Sequence, residues 1–188
     1  MKTFKEYLQE AKTIGIYPHG GGVDIHDDGE SGNVSDHPVE KTVGNEPFKD
    51  NSYFRRPKLK KYLGGIRRSV AKKKKMPPVV GTPHPADSSV RSIVDGNHRL
   101  RGTKNARAQN IPVEHVPHEN IRLMPRSYGD TKPDDNMSRK LRKGPKLSSF
   151  RKRDGTYDMN RPRKRLGGNA LSHYFANPDG SHNFRPPK

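Results

Sequence analysis

The fold of this chain is decided by one stretch, Ser92-Ile93-Val94-Asp95-Gly96-Asn97-His98-Arg99-Leu100. Apolar β-branched residues run into Asp-Gly and a basic, helix-forming segment follows, which predicts a strand, a tight turn and the first turn of a helix. Glycine at position 96 lets the backbone turn sharply and lets a ligand approach the main chain. The N–H groups of the next turn are oriented to receive an anion, and His98 and Arg99 add donors. The stretch therefore predicts a corner that binds phosphate.

The residues on either side of the corner predict a small α+β unit. Their local patterns predict an amphipathic helix over 57–75, a strand at 79–80, a loop over 83–89 and a strand over 90–94, followed by the helix after the corner. We expect the apolar side of the first helix to pack on the sheet.

The motif Gly96-Asn97-His98-Arg99 resembles the Gly-x-His-Arg signature of the ParB/sulfiredoxin superfamily. Met76-Pro77-Pro78-Val79-Val80-Gly81 is similar to the family's first strand, residues 100–109 are similar to its helix, and Ile111-Pro112-Val113-Glu114-His115-Val116 is similar to its returning strand. The resemblance covers residues 58–124 and implies a ParB/sulfiredoxin-like mixed sheet with helices, of the ParB N-terminal-like nuclease type. Sulfiredoxins carry their nucleophilic cysteine where this chain has Asn97. Because the chain contains no cysteine, thiol chemistry is excluded.

Two sets of roles follow for the residues of the corner. The resemblance implies phosphate binding by Gly96, Asn97, His98 and Arg99, with a nucleoside triphosphate and Mg²⁺ as cofactors. Asp95 and His98 are the candidate catalytic residues, which could hold a metal or shuttle a proton. In the structural alternative Asp95 or Asn97 caps the helix, His98 is a surface histidine and Arg99 forms a salt bridge.

The composition predicts that only part of the chain folds. Hydrophobic residues make up 28% and charged residues 31%, with 18 glycines and 17 prolines, so a core cannot extend along the whole length. We expect a folded domain at 53–124 between two largely disordered arms, an acidic glycine-rich linker at 11–52 and a basic tail at 125–188. No apolar run is long enough to span a membrane, so no membrane partner is expected.

The charge distribution predicts a nucleic-acid partner. Residues 1–52 hold 5 Lys and Arg against 10 Asp and Glu, whereas residues 53–188 hold 33 against 10. Such an excess binds DNA or other nucleic acid through counterion release. The cations expected to make these contacts lie in short clusters. The aromatic residues near them are expected to stack on bases: Phe150, Tyr157, Tyr174, Phe175 and Phe184. The clustered cations are Lys72, Lys73, Lys74, Lys75, Arg151, Lys152, Arg153, Arg163, Lys164 and Arg165.

Histidines and carboxylates are also dense between His19 and Glu30. They could hold a divalent cation, but their spacing matches no standard calcium or zinc site. A flexible acidic linker is the favoured interpretation.

The segment from Met1 to Ala11 predicts a short amphipathic helix, because Phe4, Tyr7, Leu8 and Ala11 recur at helical intervals. Its sequence resembles the capsid-targeting peptides of internal head proteins in large contractile-tailed phages. The resemblance implies a head-maturation protease that recognises Leu8-Gln9-Glu10 and cleaves between Glu10 and Ala11. Residues 1–10 would then be a removable packaging peptide, and the protein would reside in the phage head and later in the host cytoplasm.

Three functions remain open from the sequence. The first is a packaged protein that binds the phosphates of a nucleotide or nucleic acid at the corner, as a nuclease or nucleotide hydrolase if bonds are broken. The second is a non-enzymatic head protein that condenses DNA. The third is an injected effector that binds a host protein. The oligomeric state is not predicted.

Overall fold

The computed structural model describes residues 13–16, 23–26, 33–44, 57–124, 144–161 and 170–181. These residues form two helices, here named α1 and α2, and the strands β1 to β8, which confirms the α+β class. The helices are Pro57–Ala71 (α1) and Asn97–Asn105 (α2). The strands are Thr13–Ile16 (β1), Val23–His26 (β2), Val34–Pro38 (β3), Thr42–Gly44 (β4), Val79–Pro83 (β5), Arg91–Asp95 (β6), Asn110–His115 (β7) and Ile121–Leu123 (β8). Neither α1 nor α2 is long and apolar enough to cross a membrane.

Five strands form a mixed sheet in the order β3-β7-β5-β6-β4. The pairs β5–β7 and β4–β6 are parallel, and the pairs β3–β7 and β5–β6 are antiparallel. The two edge strands, β3 and β4, are joined by one 3-10 turn at Val39–Lys41. The edges of a flat five-stranded sheet would lie about 19 Å apart, whereas the backbone from Pro38 to Thr42 spans at most about 15 Å. The sheet must therefore curl so that its edges approach each other.

A second sheet is formed by β2, β1 and β8. In it β1 runs parallel to β8, with Ile14 beside Ile121, and antiparallel to β2. β1 to β4 all lie within residues 11–52, so the expectation that this segment is only a linker is wrong for its described parts. The apolar residues responsible are few and separated by glycine and charged residues, and the average composition of the segment hides them.

The core occupies both faces of the five-stranded sheet, because consecutive residues in a strand point to opposite sides. On one face Val79 and Ile93 pack with Leu100 of α2. On the other face Val80 and Val94 pack with apolar residues of β1 and β8. The valine pair at 79–80 therefore contributes one side chain to each half of the core.

The second half of the core is completed by residues from the C-terminal third of the chain. Leu147, Phe150, Leu171, Tyr174 and Phe175 are each at most 1% exposed and pack with Ile14, Ile16, Ile121 and Leu123. The expectation of a disordered tail over 125–188 is therefore wrong for residues 144–161 and 170–181, and the folded unit extends well beyond 53–124. These short segments can join the core because their apolar residues are three or four positions apart. This spacing places the apolar side chains on one side of a single helical turn.

The amphipathic helix and the helix after the corner are both confirmed, with shifted bounds. α1 ends at Ala71 because Lys73 adopts a left-handed conformation (φ 51°) and the N–H of Lys74 bonds the carbonyl of Ser69, a Schellman arrangement. The apolar side of α1 packs mainly on α2, whereas we expected it to pack on the sheet. The two helices approach closely at Gly102, where an added Cβ would lie 2.5 Å from Cγ2 of Ile66.

Candidate functional site

The predicted corner lies between β6 and α2. Gly96 is the N-cap residue of α2 and has a left-handed backbone, with φ 86° and ψ 22°, which glycine adopts readily. No side chain caps the helix, so the proposed capping roles of Asp95 and Asn97 are wrong. The first turn of α2 contains no acidic residue. The corner therefore presents the positive end of a helix without a carboxylate of that turn.

Arg99 lies across the corner. Its Nη1 donates to the carbonyl oxygens of Pro77 at 3.1 Å and Pro78 at 2.5 Å, and Nη2 lies 3.4 Å from a carboxylate oxygen of Asp95. The side chain is 20% exposed. Most of the Arg99 side chain is therefore turned away from solvent, because main-chain carbonyls just before β5 accept its N–H groups. The salt bridge foreseen by the structural alternative is present, at the long distance of 3.4 Å.

The glycine at 96 is also required by this arginine. A Cβ at Gly96 would lie 2.9 Å from Nη2 and 3.0 Å from Nε of Arg99, and 2.8 Å from Cγ1 of Val79. The Nε–Nη2 edge of the guanidinium therefore faces the turn. The described contacts use three of the five N–H donors of Arg99, and the Nε–H lies on the edge that faces the turn.

Asn97 and His98 point to other neighbours. The side-chain oxygen of Asn97 lies 2.9 Å from the position of a Cβ on Gly44, so it covers the end of β4. The ring of His98 meets that of Tyr62 on α1 edge to face, with centroids 6.2 Å apart. The structure therefore does not gather the three side chains of Asn97-His98-Arg99 around one point. What lies together at the corner is the backbone of the first helical turn and the guanidinium of Arg99.

The candidate catalytic residues have different partners. Asp95 is 48% exposed and faces Arg99, whereas His98 faces Tyr62. Among the described residues no group of three His, Asp or Glu side chains could hold a metal ion. Asp95 could supply one carboxylate to Mg²⁺ if phosphates and water supplied the other ligands, which is how this ion usually binds. The catalytic roles of Asp95 and His98 stay predictions.

A cleft of about 590 Å³ lies beside the corner. Its apolar lining includes Val70 at the end of α1, Met76, Pro78 and Pro112 of β7. Lys74 and Lys75, two of the cations predicted to bind nucleic acid, also line it. The carbonyl of Pro78 links the cleft to the corner because it accepts a hydrogen bond from Arg99.

The other predicted nucleic-acid contacts fall into three groups. Lys72, Lys73, Arg151, Lys152 and Arg153 are exposed, the last three on a tight turn closed by a bridge between Arg151 and Tyr157. The second group lies outside the described residues: Arg163, Lys164, Arg165 and Phe184. The predicted cleavage site at Glu10 and Ala11 and most of the segment from His19 to Glu30 lie outside them as well. The aromatic residues are the third group: Phe150, Tyr174 and Phe175 are buried in the core and cannot stack on bases, which corrects that expectation.

Two histidines, to which the sequence assigned no structural role, hold the C-terminal segments in place. Nε2 of His84 lies 2.6 Å from the carbonyl of Ala176, and Nδ1 accepts the N–H of Ala86 at 3.0 Å. Nε2 of His118 lies 2.5 Å from the carbonyl of Pro83, and its Nδ1 lies 2.8 Å from the hydroxyl of Tyr157. A carbonyl only accepts, so both rings are protonated at Nε2, and the N–H of Ala86 requires Nδ1 of His84 to lack a proton. Burial lowers the pKa of both histidines, which favours these neutral forms.

No protein-family model and no curated protein matches this chain. Among solved structures it is similar to the C-terminally truncated chromosome-partitioning protein ParB of Caulobacter crescentus complexed with CTP-γ-S, with 22% identity over 46% of this chain and 45% of that chain (TM-score 0.37). Sulfiredoxin of Arabidopsis thaliana is 12% identical over 45% of this chain and 85% of that chain (TM-score 0.34). The same ParB complexed to the centromeric parS site is 22% identical over 44% of this chain and 38% of that chain (TM-score 0.34). The chain thus spans less than half of either ParB chain.

Proposed function

We propose that the corner between β6 and α2 binds a phosphate group of a nucleotide or nucleic acid. The observation that carries the proposal is the left-handed Gly96 at the start of α2, which has no side chain to cap the helix or to block a ligand. The first backbone N–H groups of a helix and its dipole favour an anion at this position. The guanidinium of Arg99 lies against the same turn and adds a positive charge.

Calorimetry on the full chain tests this proposal, with nucleoside triphosphates and a short DNA duplex as ligands. Arg99→Ala removes a charge-assisted donor and should weaken binding by about 1.5–3 kcal/mol, or roughly ten- to a hundredfold. Arg161→Ala, which removes an exposed arginine of the C-terminal segment, is the matched control and should leave the affinity for nucleoside triphosphates unchanged. Equal affinities of the parent and Arg99→Ala for every ligand would mean that the corner is only a structural turn.

Arg99 also stabilises the fold, so its variant needs a stability measurement. Its two bonds to the carbonyls of Pro77 and Pro78 join α2 to the segment before β5. Because both prolines retain some exposure, water can replace the lost donors, and we expect a cost of about 1–2 kcal/mol. Binding is therefore compared below the temperature at which the variant begins to unfold.

We propose further that Asp95 takes part in any hydrolysis at the corner, as a ligand of Mg²⁺ or as the residue that orders a water. Asp95→Asn should then abolish hydrolysis or DNA nicking while phosphate binding persists or improves, because a negative charge is lost. Nucleotide turnover and plasmid nicking, each with and without magnesium, read out this variant. Unchanged turnover in Asp95→Asn would remove Asp95 from the catalytic residues.

The proposed setting of this function is the interior of a phage head, followed by the host cytoplasm. It rests on the match of Leu8-Gln9-Glu10 to the signal of a head-maturation protease. The expected observation is a virion-associated form that begins at Ala11, detected by intact-mass analysis of purified particles. Particles that contain only the full-length chain, or none of it, would contradict the setting.

A second candidate function is condensation of DNA without catalysis. It is favoured by the formal net charge of +18 and by the exposure of Arg151, Lys152 and Arg153. Light scattering of plasmid DNA separates the two functions, since Arg99→Ala should leave condensation intact.

A further inference from the structure

α1 has two opposite sides of different chemistry. Leu59, Leu63, Ile66 and Val70 recur at the spacing of one helical side, and Leu63 and Ile66 are buried toward α2. Two positions along a helix correspond to a rotation of about 200°, so the residues that come two positions after these apolar residues lie on the opposite side. They are Lys61, Gly65, Arg68 and Lys72. We call these four residues the outer stripe, and its three cations are exposed.

The segments that contain the two helices carry charge of one sign. Residues 57–78 contain nine Lys and Arg and no Asp or Glu, and residues 97–109, which include α2, contain four Lys and Arg and no Asp or Glu. No carboxylate of these two segments can therefore neutralise the stripe. Such a surface concentrates polyanions.

The shape of the stripe favours a polymer over a small ligand. Lys72 follows the last residue of α1, but its N–H still bonds the carbonyl of Arg68 as in a helix. From Lys61 to Lys72 the backbone rises about 16 Å, a distance along which duplex DNA carries roughly ten negative charges. The cations lie in a row on a convex helix surface, whereas small ligands bind in concave sites. Between the cations, Gly64 and Gly65 have nothing within 4 Å of an added Cβ, so the helix backbone is open to close approach at mid-length.

The chemistry of the stripe also discriminates between polyanions. An amphipathic helix that binds an anionic membrane inserts an apolar side, but Leu63 and Ile66 of α1 are already buried in the fold. Single-stranded nucleic acid is bound by aromatic stacking, and the outer stripe contains no aromatic ring. We therefore propose that the outer stripe of α1 is a docking surface for the phosphate backbone of duplex nucleic acid, independent of the corner at Gly96.

The test uses the full chain and a fluorescently labelled duplex of mixed sequence, with affinity measured by anisotropy between 50 and 200 mM salt. The stripe variant is Lys61→Ala/Arg68→Ala/Lys72→Ala, and alanine favours the helix, which circular dichroism verifies. The charge-matched control, Lys41→Ala/Lys146→Ala/Arg161→Ala, removes three exposed cations from outside the two helices.

Affinity falls as salt rises, so the slope of log affinity against log salt is negative. Loss of three phosphate contacts should make this slope less negative by about 2.7 in the stripe variant. Over this fourfold range of salt the parent would then lose roughly fortyfold more affinity than the variant. The control should change the slope by less than about 1. Equal changes in both variants, or no change in the stripe variant, would overturn the proposal, and so would loss of binding to anionic vesicles with unchanged binding to the duplex. Nucleoside triphosphate affinity should be unaffected in the stripe variant, so its result is separate from that of Arg99→Ala.

Discussion

Phe150→Ala tests whether the C-terminal segments belong to the core. The ring of Phe150 is 0% exposed and packs with residues of β1, β5 and β8. An aromatic side chain buries roughly 150–250 Å², which at about 25 cal/mol per Å² is worth about 4–6 kcal/mol. Part of this is recovered by relaxation around the cavity, and Phe→Ala changes in cores cost about 3–5 kcal/mol. We therefore expect a loss of about 3–5 kcal/mol in the free energy of unfolding.

Urea denaturation of the full chain, followed by circular dichroism, measures this loss. With a slope of about 2 kcal/mol per molar urea, the midpoint should fall by roughly 1.5–2.5 M. Tyr62→Ala is the matched control, since Tyr62 is 51% exposed and its loss should cost about 1 kcal/mol or less. If Phe150→Ala shifted the midpoint no more than Tyr62→Ala, residues 144–161 would not be part of the core. For the same reason a fragment limited to 53–124 should not unfold cooperatively.

Other predictions concern the helix contact and the histidines. Gly102→Ala should cost about 1–3 kcal/mol in thermal unfolding, because its Cβ would press against Ile66; a neutral or stabilising result would contradict the close packing of α1 on α2. Because the pKa values of His84 and His118 are lowered in the folded chain, these histidines take up protons at a higher pH in the unfolded chain than in the folded chain. Stability should therefore decrease as pH falls below the ordinary histidine pKa of about 6.5, and His84→Gln should flatten this dependence. An equally steep dependence in the variant would show that the ring of His84 does not titrate with unfolding.

The local elements of the fold were predictable from the sequence because their signals are local. The strand, turn and helix around Gly96 and the apolar spacing of α1 each lie within a few consecutive residues. The pairing of β1 with β8 was not predictable in this way, since Ile14 and Ile121 are far apart in the sequence and each strand has only three or four residues. The same holds for the single turns that bury Leu147 and Leu171.

The candidate site was predicted in position but not in geometry. The sequence identified Gly96 as the turn before α2, and the binding of an anion at the start of α2 stays a prediction. The direction of Arg99, however, depends on the carbonyls of Pro77 and Pro78, more than twenty residues earlier in the chain. Likewise, the position of His98 depends on Tyr62 of α1. Such orientations are set by tertiary contacts, which a motif of four residues does not contain.

The most direct test of the proposed function is a nuclear magnetic resonance titration of the ¹⁵N-labelled full chain with a nucleoside triphosphate. If the corner binds phosphate, the largest changes in amide shift should occur at Gly96, Asn97, His98 and Arg99, and they should saturate with the affinity measured by calorimetry. The Nε–H signal of Arg99 should move with the same dependence on ligand concentration. Shifts confined to other lysines and arginines, with the amides from Gly96 to Arg99 unchanged, would contradict a phosphate site at this corner.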